Sequence, residues 1–238
     1  MTPMRALSAL LLLLIAACGV APAPAATPPP APTIPAVAEI LNAPTAGPLS
    51  TAGYLYVTSD GAMLADSLSL VSTPPAPPDN SVIWIGPPPE LPANAFTEAG
   101  PVRYAVVAAS GTLEGPGQFG PGGRYPYRLS EPALRPLTVR ELTFPLLLQN
   151  SGLYEGQAVR VRGELLVSAD AALLVEKLGA GGVPEPDARQ MKLATPPRDE
   201  ALLDRLRASG SGDIRFGPVE VTGIWRAGRL YPLGVVTT

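Results

Sequence analysis

Three segments of this chain share one form. Val107-Ala108-Ala109-Ser110-Gly111-Thr112-Leu113, Val159-Arg160-Val161-Arg162-Gly163-Glu164-Leu165 and Val219-Glu220-Val221-Thr222-Gly223-Ile224-Trp225 each read V-x-(small or Val)-x-G-x-apolar. Period-two alternation predicts a strand with one apolar face, and a glycine inside it relieves crowding at a bend or bulge. The surroundings of two of these strands match as well. After the third comes a tight Arg226-Ala227-Gly228-Arg229 turn and Leu230-Tyr231-Pro232-Leu233; after the first comes a glycine loop and Arg124-Tyr125-Pro126-Tyr127. Both predict hairpins that end in a Tyr-Pro strand. Aligning them sets Gly111 against Gly223, and upstream the strand Tyr54–Thr58 takes the place that Val159–Gly163 takes later. Two similar offsets imply two copies of one domain.

The second copy, residues 150–238, reads nearly whole. Ala158–Ser168, Ala172–Leu178 and Ala188–Ala194 are strands one to three. Thr195-Pro196-Pro197 then opens a helix, with Asp199 and Glu200 near its positive end. Leu202, Leu203 and Leu206 share a helical face, and Gly210 stops it. Val219–Trp225 and Leu230–Val236 close the domain. This β-β-β-α-β-β order resembles the OB-fold, a five-stranded Greek-key barrel with its helix between strands three and four. The first copy, residues 49–149, fits more loosely. Its first three strands are Tyr54–Leu64, Ser67–Val71 and Ser81–Gly86, and Leu91–Ala99 stands in place of the helix. Leu146-Leu147-Leu148 reads as a strand or a buried turn. The expected fold is mainly β: two tandem OB-fold-like five-stranded barrels with one clear helix, in the second. The rival architecture is one larger β-sandwich.

The glycine loop contains Gly115-Pro116-Gly117-Gln118-Phe119-Gly120, which spells G-x-G-x-x-G. A dinucleotide fingerprint needs a helix directly after the glycines, so that its N-terminus meets the pyrophosphate. Pro121-Gly122-Gly123 and a Pro126 strand follow instead. A Walker loop needs a G-K-[ST] end, and no Lys is near. The loop is therefore the hairpin connection of strands four and five. On OB-folds that connection commonly shapes ligand sites, which makes Phe119, Arg124 and Arg128 candidate contact residues. Tyr54 and Tyr56 on one strand face, with Trp84 nearby, are candidate stacking residues; packing between the two barrels is the alternative account of them.

The N-terminus combines Arg5, an apolar run from Leu7 to Ala17, and Ile15-Ala16-Ala17-Cys18. That ending resembles the lipobox of bacterial lipoproteins. The resemblance implies a signal peptide over 1–17, cleavage before Cys18, thioether lipid on its sulfur and acylation (palmitate or a similar chain) of the new amine. An ordinary secretory signal with a chance Cys is the alternative. Residues 18–48 carry the lipidated Cys and a Pro/Ala tract, expected to be a disordered or polyproline-II tether of roughly 3.1 Å per residue. Within it, "IPAVAEIL" has a second reading as one short docked element.

With no His, imidazole acid/base chemistry, His-dependent nucleophiles and His-ligated zinc are excluded. A single Cys excludes internal disulfides and thiolate metal clusters. No metal or cofactor is expected. Residues 49–149 carry five basic and eight acidic groups and residues 150–238 carry eleven of each, which argues against a nucleic-acid partner. Arg160 and Arg162 share a strand face, but Glu164 continues it. The expectation is a membrane-anchored envelope lipoprotein, held by lipid at Cys18, with a non-catalytic binding or structural role toward an envelope protein or glycan. The alternatives are an OB module for single-stranded nucleic acid or oligosaccharide and a carboxylate-based hydrolase. The latter needs two acidic side chains roughly 5–10 Å apart in a cleft; Glu114, Glu131, Glu155 and Glu164 are its acids in sequence.

Overall fold

The computed structural model describes residues 34–78, 81–210 and 212–238. The expected signal peptide, Cys18 and the first part of the tether lie outside them. The first half runs α1 (Val37–Asn42), β1 (Gly47–Thr58), β2 (Gly61–Ala65), β3 (Leu68–Ser69), β4 (Val82–Gly86), β5 (Thr97–Ala99), β6 (Val102–Glu114) and β7 (Arg128–Pro136). The second runs β8 (Arg140–Leu142), α2 (Phe144–Gln149), β9 (Ala158–Val167), β10 (Ala172–Val175), β11 (Gln190–Leu193), α3 (Glu200–Leu203), β12 (Arg207–Ala208), β13 (Arg215–Arg226) and β14 (Arg229–Thr237).

Each half closes into a five-stranded barrel. The first follows β1-β2-β4-β7-β6 and returns to β1; the second follows β9-β10-β11-β14-β13 and returns to β9. In barrel order each is strand 1-2-3-5-4-1. The closing pairs β1–β6 and β9–β13 are long and antiparallel, and strands three and five, β4–β7 and β11–β14, pair in parallel. This is the OB-type Greek-key barrel. Each barrel encloses its own core. Leu55, Leu64, Ile83, Val107 and Leu129 fill the first; Val161, Leu165, Leu174, Leu202, Val221 and Leu230 fill the second. A single shared sandwich interior is thereby excluded.

The repeat is deeper than the hairpins indicate. A short helix precedes strand one in both copies and caps the barrel from within: Val37 and Ile40 of α1 enter the first core, Phe144 and Leu147 of α2 the second. Glycines let these helices approach. A Cβ at Gly53 would stand 2.5 Å from the Ala65 carbonyl and 3.2 Å from Val37; one at Gly163 would stand 2.8 Å from the Val175 carbonyl and 2.7 Å from Phe144. The backbone registers agree, pairing Leu49 with Gly111 and Val159 with Gly223. Gly53, not Thr58, is therefore the counterpart of Gly163. Both Gly111 and Gly223 sit at irregular steps of their hairpins, where a side chain would strike the partner strand's backbone.

Several sequence expectations are corrected. The tether does not extend to Pro48: α1 docks, as the second reading of "IPAVAEIL" has it, because Val37 and Ile40 fall on one face three residues apart. Tyr54–Leu64 is not one strand but the β1–β2 hairpin, turning at Ser59-Asp60. Ser67–Val71 is not strand two; its β3 leaves the first sheet and pairs in parallel with β14 of the other barrel. Leu146-Leu147-Leu148 lies in α2, which Thr143 caps through its side chain and Pro145 opens. α3 begins after the prolines, is capped by Asp199 and spans only four residues. A residue before proline is held extended, which keeps Thr195–Pro197 out of the helix. Leu202 and Leu206 still plug the barrel end. In the first copy a 3-10 turn at Ala93–Ala95 stands for α3, and β5 pairs with β6 as β12 pairs with β13.

Candidate functional site

A third apolar cluster joins the barrels. It gathers Tyr54, Tyr56, Met63, Val82, Trp84 and Val106 from the outside of the first barrel and Ala158, Ile224 and Leu233 from the second, with Leu70 and Tyr231 at its border. Gly234 permits the contact, since a Cβ there would meet Leu70 at 2.6 Å and the Tyr54 hydroxyl at 3.1 Å. The sequence-selected aromatic residues are thus brought together, but as an interface. Tyr54 packs edge-on to Tyr104 at 5.6 Å, and burial pushes its phenol well above the usual range. The Tyr56 hydroxyl donates to the Pro75 carbonyl at 2.9 Å. Trp84 stacks on Tyr125 at 5.0 Å.

The glycine loop folds back on the same face. Phe119 and Tyr125 exchange backbone hydrogen bonds at 2.9 and 3.1 Å, and both pack at the border of the interface cluster. Arg128 lies over the Phe119 ring at 5.0 Å and pairs with Glu114 at 2.6 Å. Its neighbour Ser130, then Arg128, hold the Glu114 carboxyl below its usual value. Arg124 is exposed and forms no ion pair with a described residue. The loop's aromatic and cationic groups are largely occupied by one another.

The basic face of β9 is likewise neutralised. Arg162 pairs with Glu220 at 2.8 Å, and Arg160 reaches Glu220 and Glu141 at 3.4 Å each. Cross-strand register produces this ladder, because Arg162 lies opposite Glu220 and Arg160 lies beside Glu141.

Two features that sequence reasoning missed lie along the join. The first is a buried cation. Arg226, in the β13–β14 turn, is 5% exposed. Its Nη2 donates to both Glu39 oxygens at 2.9 Å, Nη1 donates to the Ile34 carbonyl, and the guanidinium lies 3.7 Å above the Tyr231 ring. Partial burial pushes the Glu39 carboxyl up, but the Ala36 amide and Arg226 outweigh it and hold it low. The second barrel thereby grips α1 and the chain entering it.

The second feature is a cleft of about 370 Å³ between the barrels. Leu41 of α1, Leu68 of β3, Leu202 of α3 and Leu233 of β14 give it apolar walls; Asp66, Arg198 and Asp199 supply charge. The Ala38 amide donates to Asp66 Oδ1 at 2.9 Å, while Oδ2 accepts from no described residue. Burial raises the Asp66 carboxyl above its usual value, with the Ala38 amide and Arg198 opposing and Glu39 adding to the rise. Asp199 is committed to α3, its Oδ1 accepting from the Leu202 amide at 3.2 Å. Arg198 forms no hydrogen bond or ion pair with a described residue. It sits on the Pro196–Arg198 ridge, whose far side borders a hollow lined by Asp170 and Arg215. No signal in sequence joins Asp66 to Arg198, because the cleft exists only once both barrels have docked.

Among the described residues no group of three or more acidic, Cys or His side chains could hold a metal ion, and no helix is long and apolar enough to cross a membrane. The fold and its joined faces define a tandem OB-type two-barrel protein. No family model, curated protein or solved structure matches the chain.

Proposed function

We propose that this chain is a lipid-anchored protein of the cell envelope with a non-catalytic binding role, its barrels carried outside the cytoplasmic membrane on the segment that follows Cys18. The observation that carries the anchoring is the run Leu7–Ala17 ending in Ile15-Ala16-Ala17-Cys18, with Cys18 the only cysteine. Two or three acyl chains hold a protein stably where one does not. In this reading the Pro/Ala tract after Cys18 is the spacer, and Arg226 fastens the chain at Ile34 and Glu39, where it enters the first barrel. The binding role is supported by the inter-barrel cleft with its half-buried Asp66, whose carboxyl burial holds above its usual value; such groups concentrate at functional sites. The partners in this reading are membrane lipid through Cys18 and an envelope component.

The nucleic-acid or oligosaccharide reading is the weaker one. Its stacking residues on the first barrel are covered by the second, and the matching face of the second carries paired arginines rather than aromatic rings. A carboxylate hydrolase has Asp66 and Asp199 in one cleft, but Asp199 is engaged as a helix cap.

Metabolic labelling with palmitate and membrane fractionation test the anchor. The native chain should incorporate label and sediment with membranes, and Cys18→Ser should do neither. A Cys18→Ser chain that still sediments with membranes and releases its signal peptide normally refutes the lipid anchor.

A further inference from the structure

We propose that the cleft between the barrels binds a small zwitterion of the amino-acid class with an apolar side chain, its ammonium at Asp66 and its carboxylate at Arg198. This deepens the binding half of the reading above and rests on it, though not on the lipid. Three observations converge. The cleft, at about 370 Å³, falls in the size range of small-molecule sites. Its lining carries both signs of charge: Asp66 has one oxygen bound to the Ala38 amide and one without a described partner, the exposed Arg198 has no hydrogen bond or ion pair to a described residue, and Asp199 gives one oxygen to the Leu202 amide. Leu41, Leu68, Leu202 and Leu233 line it as well.

Charge complementarity selects the occupant. A simple cation would leave Arg198 with only Asp199 beside it, and a simple anion would meet both Asp66 and Asp199. A molecule bearing an ammonium and a carboxylate a few bonds apart satisfies both, and forms charge-assisted hydrogen bonds, the stronger kind. The leucine walls add an apolar contact that a side chain such as leucine's fills. Because the walls come from both barrels, occupancy also favours their docked arrangement.

The test is calorimetric titration of the detergent-solubilised full-length chain with leucine and with alanyl-leucine. At least one should bind saturably, while its N-acetylated and C-amidated forms should each bind roughly tenfold or more weakly. Asp66→Asn should weaken the free zwitterion about tenfold and leave the N-acetylated form unchanged; Arg198→Gln should do the same with respect to the C-amide. No saturable binding of either probe up to about 10 mM, or equal binding of free and blocked forms, overturns the proposal. The blocked ligands make this decision on the unmodified protein, so a variant that fails to fold does not obscure it. Palmitate labelling of the same preparation reports the anchor separately, so loss of the zwitterion site and loss of the lipoprotein reading give different results.

Discussion

The outer faces of strands one to three in the two barrels occupy equivalent positions and have opposite character. With Gly53 matched to Gly163, the registers set Tyr54 against Glu164, Tyr56 against Leu166, Met63 against Leu173 and Trp84 against Lys192. In the first barrel these residues are aromatic or apolar and buried. In the second, Lys192 is exposed, and Glu164, Leu166 and Leu173 are half-buried. One barrel has turned its face inward as a joint, and the other has kept it wet. Docking needs only one of the two equivalent faces to be apolar, because the second barrel meets it with a different patch, Ala158, Ile224 and Leu233.

This comparison predicts an asymmetric response to matched substitutions. Trp84→Ala removes a buried ring and its stack on Tyr125, and should cost about 3–5 kcal/mol in chemical denaturation. Lys192→Ala at the matching position should change stability by less than about 0.5 kcal/mol. Equal effects would mean that the two faces do not differ as described. Next in size is Glu39→Ala, which leaves the buried Arg226 guanidinium without its carboxylate. Since Glu39 is itself half-exposed, we expect about 2 kcal/mol, together with faster proteolysis around residues 34–42. Phe119→Ala should cost about 1 kcal/mol, because that ring only borders the joint. A cost near that of Trp84→Ala would move the glycine loop into the interface proper.

The smallest effect is in pH dependence, where two carboxylates at the joint have opposite signs. The folded state holds the Glu39 carboxyl low. Its stabilisation is present above the unfolded value near 4.5 and is lost as pH falls through the lower folded value. Asp66 is raised above 3.8, so the folded state takes up its proton first. Its contribution to stability therefore grows as pH falls through the raised value toward 3.8. In urea titrations across this window, Glu39→Gln should reduce the loss of stability on acidification and Asp66→Asn should increase it. The same sign for both variants would contradict the placement of one of the two.

What was legible in the chain was local. The hairpin at Gly223 is readable because a strand, a turn and the returning strand are neighbours in sequence, and period-two patterning reports which side is buried; at Gly111 the expected Tyr125-Pro126 strand is part of the loop, and the returning strand starts only at Arg128. The helix α1 was only half-legible: its prolines and alanines match a tether, and two apolar residues on one face acquire meaning only when a core accepts them. The β1–β2 hairpin was hidden because the turn at Ser59-Asp60 interrupts an otherwise continuous apolar alternation. Tyr54, Tyr56 and Trp84 announced a special face, yet the same residues serve a ligand surface and a domain interface, and composition does not separate the two.

The strand order of the second barrel and the expectation of a doubled domain came from sequence alone, because they rest on periodicity and on glycines demanded by close backbone approach; the strands of the first barrel and the separation into two cores did not. Only the tertiary structure decided what the faces do. It placed the aromatic face under the second barrel, set Arg226 on Glu39, and opened a cleft lined by both Asp66 and Arg198. Those pairs are far apart along the chain, and nothing local couples them. They meet because two closed barrels bury apolar surface against each other, and that burial carries along the charged groups that happen to line its edge.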